Sequence, residues 1–202
     1  GAELSVAIDG LAVGTPQGGL SSSYGFVDFM ADSGSAVRVA RPVAVAHTVD
    51  GADDQVAVVR MRQGSEDNIS LKLYRVDDFK GRIDGLRPGD DGYNAAANDR
   101  VYETASGNGR FKGPGYGEYR EKQIVGVDAG DIVAMKIRTG GEVYWAFARA
   151  NEKSHGEKVG HLWSYGLDTW GWESGRKGGD HDFNDLVVQI DFTSAYGHGW
   201  LL

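Results

Sequence analysis

No cysteine occurs in the 202 residues, so a disulfide framework and a thiolate metal site are both excluded. That absence does not name a compartment. Proline is scarce, with four residues against 31 glycines, and long apolar helical patterns are missing, which together point to a turn-rich all-β chain. Positive charge is also short: 21 Lys and Arg face 29 Asp and Glu for a net charge of -8. Nucleic acid and anionic membrane surfaces are disfavoured as partners, because phosphate contacts need clustered basic residues. No stretch approaches the roughly 20 apolar residues of a membrane helix. Gly1-Ala-Glu-Leu4 is not the basic start of a signal peptide, so an export signal is expected outside these residues, in a larger parent chain.

What is present fits one domain. The length suits a single large β-sandwich whose core needs no staples, and 41% hydrophobic residues in alternating runs are incompatible with disorder. From Ala36 to Val49, Val37, Val39, Val43, Val45 and Val49 share one parity, the period of a half-buried strand. Pro42 lacks an amide proton and predicts an edge position or a split there. Gln55–Arg62 and Ile69–Val76 read as a hairpin around the polar turn Gln63–Asn68. Ile132–Arg138 and Glu142–Ala150 form a second hairpin across Thr139-Gly-Gly141. Leu186–Thr193 is the last strand, and Leu4–Ile8 and Tyr24–Phe29 bring the total to about eight. Residues 77–123 form a long loop excursion in which Asp91–Tyr102 carries a short helix, capped by Asp90 or Asp91. The expected architecture is an antiparallel β-sandwich or jelly roll over residues 1–202.

The chemistry concentrates in Gly178-Gly-Asp-His-Asp-Phe-Asn-Asp185. Oxygen-bearing side chains stand at Asp180, Asp182 and Asn184, with Asp185 directly after. Calcium takes six to eight oxygen ligands at about 2.3–2.6 Å, and alternate carboxylates in a curled loop can converge on one ion. Gly178-Gly179 allows a tight approach turn. The spacing Asp-x-Asp-x-Asn also opens an EF-hand, but the glycine required at the sixth position is Asp185, and the exiting segment alternates like a strand. Zinc is disfavoured, since His181 is the only nitrogen ligand close by in sequence. The plain alternative is a solvated acidic turn with Asn184 and Asp185 capping backbone amides.

Gly178-Gly-Asp-His-Asp-Phe-Asn-Asp-Leu-Val-Val188 resembles the GGDxDFNDhV hallmark of the DUF4114 domain of bacterial RTX adhesins. Tyr144–Glu152 and His161–Glu173 are similar to further parts of that domain, and the resemblance covers residues 131–202. It implies a Ca2+-dependent binding module near the outer end of a giant secreted or cell-surface adhesin, monomeric within the larger chain, with Asp180, Asp182, Asn184 and Asp185 as calcium ligands. Some members capture peptide C-termini on another cell's surface proteins, and related adhesin modules bind sugars.

Trp163, Tyr165, Trp170 and Trp172 precede the acidic loop and offer rigid faces for a sugar or peptide, or else pack in the core. Glu173 reads as an added calcium ligand or, on base rates, as a surface charge. The acidic set Asp77, Asp78, Asp84, Asp90 and Asp91 reads as turn and cap residues rather than a second ion site. Arg110 and Lys112, in the glycine-rich stretch 107–117, suit an anionic ligand such as a carboxylate or acidic sugar. No nucleophile motif is found, Ser154-His155 and Thr169 lacking any signature context. The leading expectation is a non-enzymatic, calcium-dependent adhesion module for a peptide or protein terminus. A carbohydrate-binding module for a polysaccharide is the alternative, and a calcium-rigidified spacer a third.

Overall fold

The computed structural model describes residues 6–8, 11–13, 26–30, 36–40, 42–46, 55–128, 130–166 and 168–192. In chain order, β1 (Val6–Ile8) pairs with β2 (Leu11–Val13), and β3 (Phe26–Met30) with β4 (Ala36–Ala40). Next come β5 (Val43–Val45), β6 (Gln55–Gln63), β7 (Ser70–Val76), the helix α1 (Tyr93–Asp99), β8 (Phe111–Lys112) and β9 (Tyr119–Val127). They are followed by β10 (Ile132–Thr139), β11 (Glu142–Trp145), β12 (Lys153–Ser154), β13 (Glu157–Lys158), β14 (Leu162–Gly166), β15 (Thr169–Trp172) and β16 (Leu186–Asp191). Every ladder between named strands is antiparallel, and the fold is all-β and sandwich-like with a short helix.

Two five-stranded sheets carry the core. One has the order β11-β10-β7-β8, with β5 pairing on the β11 side of β10; the other is β14-β15-β16-β6-β9. Period-two alternation sends one side-chain set of each strand between the sheets. Leu71 and Leu73 of β7 and Val133, Met135 and Ile137 of β10 meet Val59 and Met61 of β6 and Val188 and Ile190 of β16 there. Each such side chain contributes about 1.5–3 kcal/mol on full burial.

The opposite parity of β7 and β10 is also used. Tyr74, Val76 and Ala134 form a second cluster with Tyr93 and Ala97 of α1, Ile83, Trp145 and Phe147. Tyr93 donates its hydroxyl proton to the Gly81 carbonyl at 2.6 Å, and its ring meets Trp145 edge-on at 5.4 Å. The excursion therefore lies over part of the outer face of the first sheet, at Tyr74, Val76 and Ala134.

Several expectations are corrected. β6 and β7 belong to different sheets, so the segment between them is an arch rather than a hairpin turn. Buried Gln63 bends it by donating its amide to the Ser65 and Asp67 carbonyls at 2.9 and 2.6 Å. The excursion is shorter than 77–123, since β9 already begins at Tyr119. The helix is capped by Gly92 at φ 83 with no side-chain cap, while Asp90 accepts the Arg87 amide proton in the preceding turn. The segment from Glu142 leaves the sheet after Trp145 and enters a 3-10 turn at Ala148–Ala150.

Other expectations hold. The run from Ala36 is split around Pro42, and Gly140-Gly141 closes the β10–β11 hairpin with Thr139 opposite Glu142 and both glycines at positive φ. Residues 4–5, 24–25, 41 and 47–49 of the expected early strands, and 167 and 193–202 of the family resemblance, lie outside the described residues.

Trp170 is 2% exposed within the inter-sheet core. Trp170→Ala is expected to cost about 3–5 kcal/mol, measured as a lowered urea midpoint at unchanged slope.

Candidate metal centre

β15 and β16 are antiparallel neighbours with Trp172 opposite Leu186, so residues 173–185 form one loop that leaves and rejoins the same sheet. Its backbone is unusual. Lys177, His181 and Phe183 have φ of 61, 63 and 53, a region that costs L-residues on the order of 1 kcal/mol each and persists only where the surroundings enforce it. Gly179, at φ 51 and ψ -133, adopts a conformation for glycine alone. A Cβ there would also lie 2.2 Å from Glu173 Oε2. Gly171 is needed for the same spatial reason, a Cβ falling 2.0 Å from the Phe183 carbonyl oxygen.

This backbone brings Glu173, Asp180 and Asp182 together, one carboxylate oxygen from each lying within 4.8 Å of the others. Among the described residues this cluster can hold a metal ion. Asp180 and Asp182 are exposed, whereas Glu173 is 1% exposed. Glu173 Oε1 accepts the Phe183 amide proton at 2.6 Å, and Oε2 is buried with no hydrogen-bond partner. Burial raises the Glu173 pKa, the Phe183 amide opposes this, and the negative charges of Asp185, Asp180 and Asp182 raise it further, to about 7. A buried, partly unsatisfied carboxylate facing two others is the condition that a cation relieves.

Glu173 is therefore corrected from a surface charge to the buried centre of the cluster. Sequence spacing could not show this, because the β15–β16 register rather than local order places it opposite the loop. His161 was also missed. It is fully buried, stacks on Tyr144 at 3.8 Å, and contacts the Glu173 carbonyl through Nδ1 at 2.9 Å and Glu152 Oε1 through Nε2 at 3.0 Å. It anchors the point where β15 ends.

Asp185 and Asn184 adjoin the three carboxylates and make hydrogen bonds of their own. Asp185 Oδ2 accepts the Ser174 amide and hydroxyl at 2.7 and 2.8 Å, and the same hydroxyl lies 2.5 Å from Asp67 Oδ2 in the arch. Asn184 donates its side-chain amide and, at 3.2 Å, its backbone amide to Asp182, holding that carboxylate in place. The arch is packed tightly here: the Gly64 amide donates to the Asp185 carbonyl at 3.1 Å, and a Cβ on Gly64 would stand 2.5 Å from the Asn184 carbonyl oxygen.

The four aromatic residues separate. Trp170 and Trp172, at 2% and 0% exposure, are core side chains and are withdrawn as ligand contacts, because β15 points them between the sheets. Trp163 is half-buried and packs on Phe183 at 5.6 Å, and Tyr165 is 39% exposed with its hydroxyl directed at the Asp182 and Phe183 carbonyls. Trp163 and Phe183 also line a groove of about 550 Å³ together with Phe147, Leu162 and the cations Lys80, Arg82, Arg87 and Arg149, of which Arg82 pairs with Asp78 and both Arg87 and Arg149 with Asp90. Lys112 lies in β8 of the first sheet opposite Ser70, and Arg110 lines a separate cavity on that sheet.

The second acidic set is occupied in turns and ion pairs. Arg100 bridges Asp77 and Asp84 at 2.5 and 2.6 Å, and Asp78 accepts the Lys80 and Arg82 amides. No family model, curated protein or solved structure matches the chain.

Because the folded pKa of Glu173 lies above its ordinary value of 4.5, the metal-free fold loses stability as pH rises from about 4.5 to about 7. Glu173→Gln is expected to flatten that decline in thermal melts recorded with chelator; a variant that retains the parent's full slope would place the titration elsewhere.

Proposed function

We propose that this chain is a calcium-dependent binding module of a large secreted or surface protein of the RTX adhesin type, as the DUF4114-like loop suggests. The observation that carries the reading is the buried Glu173 carboxylate, unsatisfied at Oε2 and clustered with those of Asp180 and Asp182. The donors are all oxygens, which favours calcium over zinc. Backbone carbonyls and water would complete six to eight ligands, and the ion would fix a loop whose backbone is otherwise strained.

The bound partner in this reading is a peptide or protein terminus on a target surface. The groove beside Phe183 supports it: its apolar lining accepts a side chain, and Lys80, Arg82, Arg87 and Arg149 suit a terminal carboxylate. A carbohydrate-binding module is the second reading, favoured by exposed Tyr165 and half-buried Trp163 next to the acidic loop. The role is binding rather than catalysis.

Calcium is expected to raise the melting temperature, by the equivalent of about 2.7 kcal/mol when free calcium is about a hundred times its Kd. Asp182→Ala should remove most of that rise, as seen by differential scanning calorimetry. An equal shift in variant and parent would remove Asp182 from the ligand set. Peptide and glycan arrays probed with the calcium-loaded protein separate the two partner classes, and glycan hits without peptide hits would reverse their order.

A further inference from the structure

The outer face of the first sheet carries a second, chemically opposite site. In the β7–β10 register Lys136 stands directly across from Lys72, and Arg138 across from Ser70. Arg110 reaches the same place, its Nε donating to the Ser70 hydroxyl at 3.1 Å. Like charges directly opposite on a ladder repel. In a chain of net charge -8, among the described residues, none of these four cations makes an ion pair.

Neutral groups hold them in position. Lys136 is 6% exposed and donates to Asn94 and Asn98 of α1 at 2.9 and 3.0 Å, with its amine 4.4 Å from the Trp145 ring centroid. Asn98 also accepts from Lys72 at 3.1 Å. The amide oxygens satisfy the ammonium protons without cancelling their charge. Burial and then the neighbouring Lys72 lower the Lys136 pKa to about 8, so the folded chain keeps this charge at a cost that a bound anion would offset. The four side chains line a cavity of about 190 Å³, the volume of roughly six liquid waters.

We propose that this cavity is an oxyanion-binding pocket in which Lys72, Lys136, Arg138 and Arg110 receive the carboxylate or sulfate group of a small acidic ligand. The pocket is independent of the metal centre, because it is built on the other sheet and α1. Guanidinium and ammonium groups around one cavity match oxyanions by charge-assisted hydrogen bonds. The helical excursion then has a role beyond covering the sheet, since α1 supplies the two asparagines that position the lysines.

The test is an NMR titration of the full chain, read at its lysine and arginine side-chain N–H groups, with acetate, glucuronate and sulfate against chloride at constant ionic strength. Saturable shifts confined to Lys72, Arg110, Lys136 and Arg138 are expected, together with an upward move in the Lys136 titration. Exposed Arg138→Gln, which leaves the packing of α1 intact, should weaken binding at least about tenfold, the loss of one charge-assisted hydrogen bond. Asp182→Ala should leave it unchanged. Saturation by acetate and glucuronate assigns the pocket to carboxylates, and saturation by sulfate alone to tetrahedral oxyanions. Linear shifts with every salt, equal effects of chloride, or an unaltered affinity in Arg138→Gln would each overturn the proposal.

Discussion

The carboxylate of Glu173 is taken out of water where β15 ends, and much of the local architecture answers to that placement. One oxygen is satisfied by the Phe183 amide, the other has no hydrogen-bond partner, and the carboxylate lies within 4.8 Å of those of Asp180 and Asp182. To hold this arrangement the backbone accepts left-handed conformations at His181 and Phe183, a glycine-only geometry at Gly179 and a bare Cα at Gly171. His161 fixes the chain beneath it, and Ser174 fastens it to the arch. A loop that merely turned the chain would require none of this, because carboxylates free to face water repel one another little.

The fold class was legible in the sequence because strand alternation is a local signal. Leu186, Val188 and Ile190 are buried and Val187, Gln189 and Asp191 are not, as their parity requires. The sheet to which a strand belongs is not local. β6 and β7 alternate well and are joined by a short polar segment, yet the chain crosses between sheets there. Such a segment is compatible with both outcomes, and long-range pairing with β16 and β10 decides between them.

The candidate site divides along the same line. Asp180 and Asp182 could be read from their spacing, while Glu173 is adjacent to them only through the pairing of Trp172 with Leu186. Trp170 and Trp172 were ambiguous between platform and core because a tryptophan beside a functional loop has the same local sequence context in either case. Of the cationic pocket, the sequence pointed only to Arg110, and Lys112, read beside it, does not line the cavity. Its main members, Lys72 and Lys136, lie far apart in the chain and become neighbours through one register.

The Ser174 hydroxyl reaches Asp67 across 107 residues of chain. Closing so long a loop has a large entropic cost and gains nothing until the intervening strands are in place. That bond follows from the pairing of β6 with β16, which sets Gln63 opposite Leu186 and so brings the arch beside the acidic loop. A cation at Glu173, Asp180 and Asp182 would stabilise the native state alone, because only the folded register brings the three carboxylates together.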